Sequence, residues 1–208
     1  MKLNKVMALA LSGLMAVSML AGCSNGTPNG EENNQGQEVV TDAASTMNKL
    51  QDKVEFKADS TLETILAAAM DKVTASEIKN LTANANGPYA SGSVYDYLNN
   101  KLPSEYKVSN RITYATVAGS DKEVTTTVIY MLKSGTFDED TALAFVANAM
   151  QMGNYKDTYK STGGKQYNAD YTGAVSIQNV TKTAEDGKTY SAYVVAVAVT
   201  QTPAEVKI

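Results

Sequence analysis

Cys23 is the single cysteine of the 208-residue chain, and the chain contains no histidine. A thiol without an imidazole cannot form a Cys-His pair. A chain without histidine cannot build a Ser-His-Asp triad, a histidine general base or a histidine metal site. The remaining chemistry falls to carboxylates, hydroxyls and amines. Asp138-Glu139-Asp140 is the densest acidic cluster, but it opens a periodic apolar run, where acidic residues offset the positive end of a helix dipole. Its spacing is not that of a calcium loop, and that loop's glycine is missing. The stretch YKSTGGKQ, 159 to 166, approaches a phosphate-binding loop. That motif needs glycine where Tyr159 stands and Ser or Thr where Gln166 stands, so the stretch reads as a polar loop. No Ser-x-x-Lys stands on a recognisable helix start, which leaves Ser-Lys catalysis without support. Neither a metal nor an organic cofactor is expected.

Tyrosine is the overused functional side chain, with 12 copies against 3 Phe and no Trp. Tyr155, Tyr159, Tyr167 and Tyr171 are interleaved with Asn154, Asp157, Lys160, Lys165, Asn168 and Asp170. An amphipathic ring with a hydroxyl suits polar ligands and protein partners, so these four are candidate partner-binding residues. Tyrosine also favours strands and half-buried surfaces for structural reasons alone.

Cys23 has a different context. Met1 to Lys5 carries two lysines, and Val6 to Leu20 is a run of Ala, Leu, Met and Val broken by Ser12, Gly13 and Ser18. This is the charged and apolar pattern of an export signal, too short for a membrane span of about 20 residues. Leu20-Ala21-Gly22-Cys23 closes the run and resembles the lipobox of bacterial lipoproteins. The resemblance implies cleavage after Gly22, diacylglycerol on the Cys23 sulfur, and a mature chain held in a bilayer by its acyl chains. Two buried acyl chains hold a protein stably where one is marginal. Residues 24 to 38 contain no aliphatic or aromatic side chain, so they cannot bury enough apolar area to order themselves and read as a disordered tether. Losing both leader lysines makes the remainder more acidic than the formal −4 of the whole chain. That balance argues against nucleic acid and anionic headgroups as partners.

From about residue 39 to 208 the length fits one domain. Ala43, Met47, Leu50 and Val54 make one helical stripe, and Leu62, Ile65, Leu66, Ala69 and Val73 make a second behind a capping box read at Ser60 and Glu63. Two such helices a few residues apart suggest a helical hairpin. Residues 84 to 93 read as loop, with Ser93 capping a short helix that stops before Pro103. Residues 106 to 117 and 123 to 133 read as strands joined by a hairpin turn at Gly119-Ser120-Asp121-Lys122. A further helix over 138 to 152 starts from a box at Thr136 and Glu139. Then come strands around Glu185-Asp186-Gly187-Lys188. In the last of them, Tyr193, Val195, Val197 and Val199 form a large face and Ala192, Val194, Ala196 and Ala198 a small one. That strand is expected in the middle of the sheet, with the 138 to 152 helix as its neighbour.

The sequence thus predicts an α+β domain: an N-terminal helical hairpin, then a mostly antiparallel sheet of about four strands with one inserted helix. The parts are a signal peptide over 1–22, a lipidated cysteine with its tether over 23–38, and one domain over 39–208. The expected function is an extracytoplasmic, membrane-anchored binding module for an envelope protein or a glycan. The alternative is an envelope hydrolase or glycan-modifying enzyme working through carboxylates.

Overall fold

β-branched and aromatic side chains recur along the last third of the chain and make two long strands, around which the rest of the molecule is arranged. The computed structural model describes residues 43–81, 91–109, 121–151, 155–161 and 163–207, all within the unit Gly36–Ile208. In chain order its elements are α1 (Ala43–Leu50), β1 (Glu55–Lys57), α2 (Ser60–Ala69), a 3-10 turn (Met70–Lys72), α3 (Ala75–Lys79), α4 (Ser93–Lys101), β2 (Tyr106–Val108), β3 (Val124–Lys133), α5 (Glu139–Gln151), β4 (Thr158–Lys160), β5 (Gln166–Thr183) and β6 (Thr189–Glu205). The class is α+β, with five helices and a mixed sheet of six strands among the described residues.

The sheet runs β1-β5-β6-β3-β2, with β4 also beside β5. β5 and β6 pair antiparallel from Tyr167↔Glu205 to Thr183↔Thr189. Their turn closes where the Ala184 N–H donates to Lys188 O and the Gly187 N–H to Ala184 O, with Gly187 at φ +76°. A left-handed glycine ending a three-residue loop matches the twist of the flanking strands. β3 lies antiparallel on the other side of β6, from Val124↔Gln201 to Lys133↔Ala192. β6 is therefore the central strand, as its fully apolar run requires. The two parallel pairings, β1 with β5 and β2 with β3, are short and sit at the edges.

Each face of the sheet carries a layer of helices. Val128, Tyr130, Leu132, Val175, Ile177, Val195, Val197 and Val199 meet Ala43 and Met47 of α1 and Leu143, Val146 and Met150 of α5. On the other face, Ile129, Met131, Ala174, Ala192, Val194, Ala196 and Ala198 meet Leu62, Leu66, Ile78, Val94 and Leu98 of α2, α3 and α4.

Several expectations are corrected by this arrangement. α1 and α2 are not a helical hairpin, because β1 runs between them and they pack on opposite faces of the sheet. Phe56 alternates with exposed Glu55 and Lys57, and three residues are too few for a period-two pattern to stand out beside two helical stripes. The sheet has six strands rather than about four, the extra ones each three residues long. β2 lies parallel to β3, so these two cannot be the arms of one tight hairpin; residues 110–120 lie outside the described residues. α5 packs against the valine face of β6, while the alanine face takes α2, α3 and α4. α5 is thus a neighbour of this strand as expected, and the small side chains receive three further helices on the other face.

The helix caps differ as well. Asp59, not Ser60, caps α2, its Oδ1 accepting from the N–H of Thr61 and Leu62. At α5 the Asp138 Oδ1 accepts from the Thr141 N–H, replacing the box expected at Thr136. Carboxylates outcompete the neighbouring hydroxyls here because they are charged acceptors facing the positive end of the helix. Ser93 is the first residue of α4, and Gly92 at φ +109° precedes it with no side-chain cap.

One buried residue resists this apolar logic. Gln178 is fully buried on the alanine face, opposite Val194, and neither its Nε2 nor its Oε1 has a hydrogen-bond partner. An unsatisfied buried amide costs roughly 1–3 kcal/mol. Gln178→Met keeps the shape and removes the polar atoms, so it is expected to stabilise the fold by roughly that amount and to raise Tm by several degrees. A thermal melt showing a lower Tm than the parent would refute this.

Candidate functional site

The four candidate tyrosines lie at one end of the sheet, where β4 folds back on the start of β5. Tyr159 and Tyr167 are a directly opposed cross-strand pair, with stacked rings 5.6 Å apart at 19°. Their exposures are only 7% and 5%. Ala169 completes this small cluster, and Tyr171 packs against it half-buried. Tyr155 meets Tyr171 edge-on, with ring centroids 5.1 Å apart. The Tyr171 hydroxyl donates to Lys156 O and accepts from the Lys156 N–H, which pins the chain entering β4.

The structure therefore joins all four residues but divides their roles. Tyr159 and Tyr167 are satellite core, and Tyr155 and Tyr171 form an outer, half-buried pair. Burial pushes the Tyr159 hydroxyl above its ordinary pKa, helped by the neighbouring rings, while a hydrogen bond from Gln201 works in the opposite direction. Burial likewise raises Tyr171, against the lowering effect of its bond to the Lys156 backbone. Neither group is prepared for ionisation near neutral pH, so neither offers acid-base chemistry.

YKSTGGKQ resolves into a hairpin turn between β4 and β5. The Ser161 N–H donates to Lys165 O and the Gly164 N–H to Ser161 O, with Gly164 at φ +80°. These two amides are engaged inside the turn and are not free to hold a phosphate.

Carboxylates gather elsewhere, at helix ends. Asp59, besides capping α2, accepts a 2.6 Å hydrogen bond from the Tyr106 hydroxyl of β2. Burial, then the bond to Asp59 and its charge, push Tyr106 up to about 12. Glu77 takes four hydrogen bonds: the N–H and hydroxyl of Thr74 at 2.8 and 2.9 Å, and the N–H and hydroxyl of Ser93 at 2.8 and 2.9 Å. It closes the capping box of α3 and also holds the first residue of α4. Its partial burial would raise its pKa, but the bonds from Ser93 and Thr74 together bring it below the ordinary value. The pattern Thr74-x-x-Glu77 is a capping-box signature legible in the sequence. Asp138 is held low by its bonds from Thr141, which supports the helix-end reading of that acidic cluster.

A Ser-x-x-Lys does stand on a helix after all, Ser76 and Lys79 of α3. Both are exposed, and the Ser76 hydroxyl pairs with the Asn80 side chain. A catalytic lysine is held in a desolvated pocket or beside another cation, whereas Lys79 is exposed. Among the described residues no group of three or more Asp or Glu could hold a metal ion, and no helix is long and apolar enough to cross a membrane. Cys23 lies outside the described residues. The chain matches no family model, no curated protein and no solved structure.

Proposed function

We propose that this chain is an extracytoplasmic lipoprotein, anchored through acylated Cys23, whose folded part is a non-catalytic module binding an envelope protein or a glycan. Leu20-Ala21-Gly22-Cys23 at the end of the leader-like run carries the reading. The fate of two acidic groups favours binding over hydrolysis: Glu77 and Asp138 are both engaged at helix ends. Glycan hydrolysis needs two carboxyl groups flanking one bond, several ångströms apart across a cleft. The half-buried Tyr155 and Tyr171 present the outer part of the tyrosine cluster to a partner.

Cys23→Ala is expected to move the protein from the detergent-rich to the aqueous phase, or to leave an uncleaved precursor. Mass spectrometry of the native mature protein is expected to show an N-terminal cysteine carrying a diacylglyceryl group. A free Cys23 thiol in that spectrum would overturn the anchoring.

A further inference from the structure

We propose that the recess between the start of α1, the end of β1 and the outer edge of β5 binds a primary ammonium group carried on a short alkyl chain. The recess has a volume of about 100 Å3 and is walled by Ala43, Ala58 and Val175, with Asp59, Glu63 and Ser176 as its polar groups. It lies where β1 runs out: the last pair of that strand is Lys57↔Ala174, and Val175 and Ser176 follow immediately on β5.

Three residues with acceptor atoms line it, Asp59, Glu63 and Ser176. Asp59 is the N-cap of α2 and Glu63 belongs to the first turn of that helix. The Asp59 Oδ1 is filled by two backbone N–H groups and its Oδ2 by the Tyr106 hydroxyl, which leaves one lone pair on Oδ2. The Glu63 carboxylate has no partner among the described residues, and neither has the hydroxyl of Ser176, a residue only 6% exposed. Two carboxylates outweigh the roughly half-unit of positive charge at the α2 N-terminus, so the recess favours a cation. A hard metal ion would want six or more oxygens, whereas this recess offers three and walls itself with methyl groups. An alkylammonium uses both features, its three N–H donors meeting three acceptors while its methylenes lie against Ala43, Ala58 and Val175. A lysyl side chain and a free amine share this chemistry. The site does not depend on the proposed anchoring, because it is complete within the folded domain.

The test is titration of the full-length protein in detergent with n-butylammonium, with Nα-acetyl-lysine amide, and with n-butanol as the uncharged control. Binding is followed through the backbone amide shifts of Val175 and Ser176. Saturable shifts with an ammonium compound and none with butanol are expected. Glu63→Gln and Ser176→Val should each weaken binding at least tenfold with the melting temperature nearly unchanged. Saturation by butylammonium alone supports a free amine, and saturation by the lysine derivative supports a lysyl side chain. Equal response to butanol, no saturation, or unaltered affinity in Glu63→Gln would overturn the proposal; Ser176→Ala, which removes only the hydroxyl, repeats the test if the valine variant does not fold.

Discussion

Tyr167→Ala is expected to destabilise the protein by about 3–5 kcal/mol, the range for deleting a buried aromatic, and to lower Tm by on the order of 10 °C. Tyr159→Ala should behave alike, because the two rings stack on each other at 5.6 Å and are 5% and 7% exposed. Removing either ring strips the other of its packing partner, so the double mutant should cost less than the sum of the singles. Tyr155→Ala and Tyr171→Ala remove half-buried rings and should cost clearly less, although Tyr171 also loses its two bonds to Lys156. Thermal unfolding of the four single mutants measures this directly. Were Tyr167→Ala to melt within about 2 °C of the parent, the assignment of that pair to the core would be wrong. For function the ordering matters as much as the size. Partner binding lost in Tyr155→Ala or Tyr171→Ala without loss of fold identifies contact residues, whereas loss in Tyr159→Ala or Tyr167→Ala reports unfolding.

Gly173→Ala is expected to be nearly as damaging, through crowding rather than loss. Gly173 lies between β1 and β6, opposite Phe56 and Val199. A Cβ there would stand 2.7 Å from Phe56 Cε1, 2.9 Å from Val54 Cγ1 and 2.9 Å from the carbonyl oxygen of Ala198. Phe56 and Val54 are themselves buried, and the carbonyl belongs to the central strand and cannot withdraw. Overpacking of this kind costs about 1–3 kcal/mol and sometimes more, and Gly173→Val should exceed that range. Gly163→Ala is the control, since the nearest atom to its Cβ would be Ser161 Oγ at 3.8 Å. A melting temperature for Gly173→Ala equal to that of Gly163→Ala would contradict the packing of β1 on β5.

Legibility followed the length over which each pattern repeats. β6 was readable in detail, including its central position, because Val195 to Val199 alternates valine with alanine. α5 was equally clear. β1 and β2 were not, since three-residue strands hold barely one period and their place is decided by β5 and β3, far away in sequence. The caps were missed for a local reason: a serine or threonine beside an aspartate looks like a capping hydroxyl, yet at Asp59 and Asp138 the carboxylate took the N–H groups. The tyrosines were found as a group, but nothing in their spacing says that Tyr159 and Tyr167 face each other across a turn. That register follows from the Gly164 turn, which was read only as a loop. The recess beside β5 was invisible to sequence reading, because it joins residues from the beginning and the end of the domain.

The strands that make the middle of the sheet come after every other element in chain order. A ribosome delivers the chain from its N-terminus, so α1, β1 and α2 emerge with no surface to pack on. Glu55 must wait for Thr172, and β3 must wait for Ala192 to Gln201. Until the hairpin arrives, both helical layers lack the sheet face that buries them, and isolated helices of their length are marginal in water. The hairpin needs only its own turn to begin zipping, an event of microseconds, and once formed it offers both faces and both edges at once. Assembly is therefore late and nearly simultaneous, and the chain commits to its shape only once its C-terminal hairpin has been made.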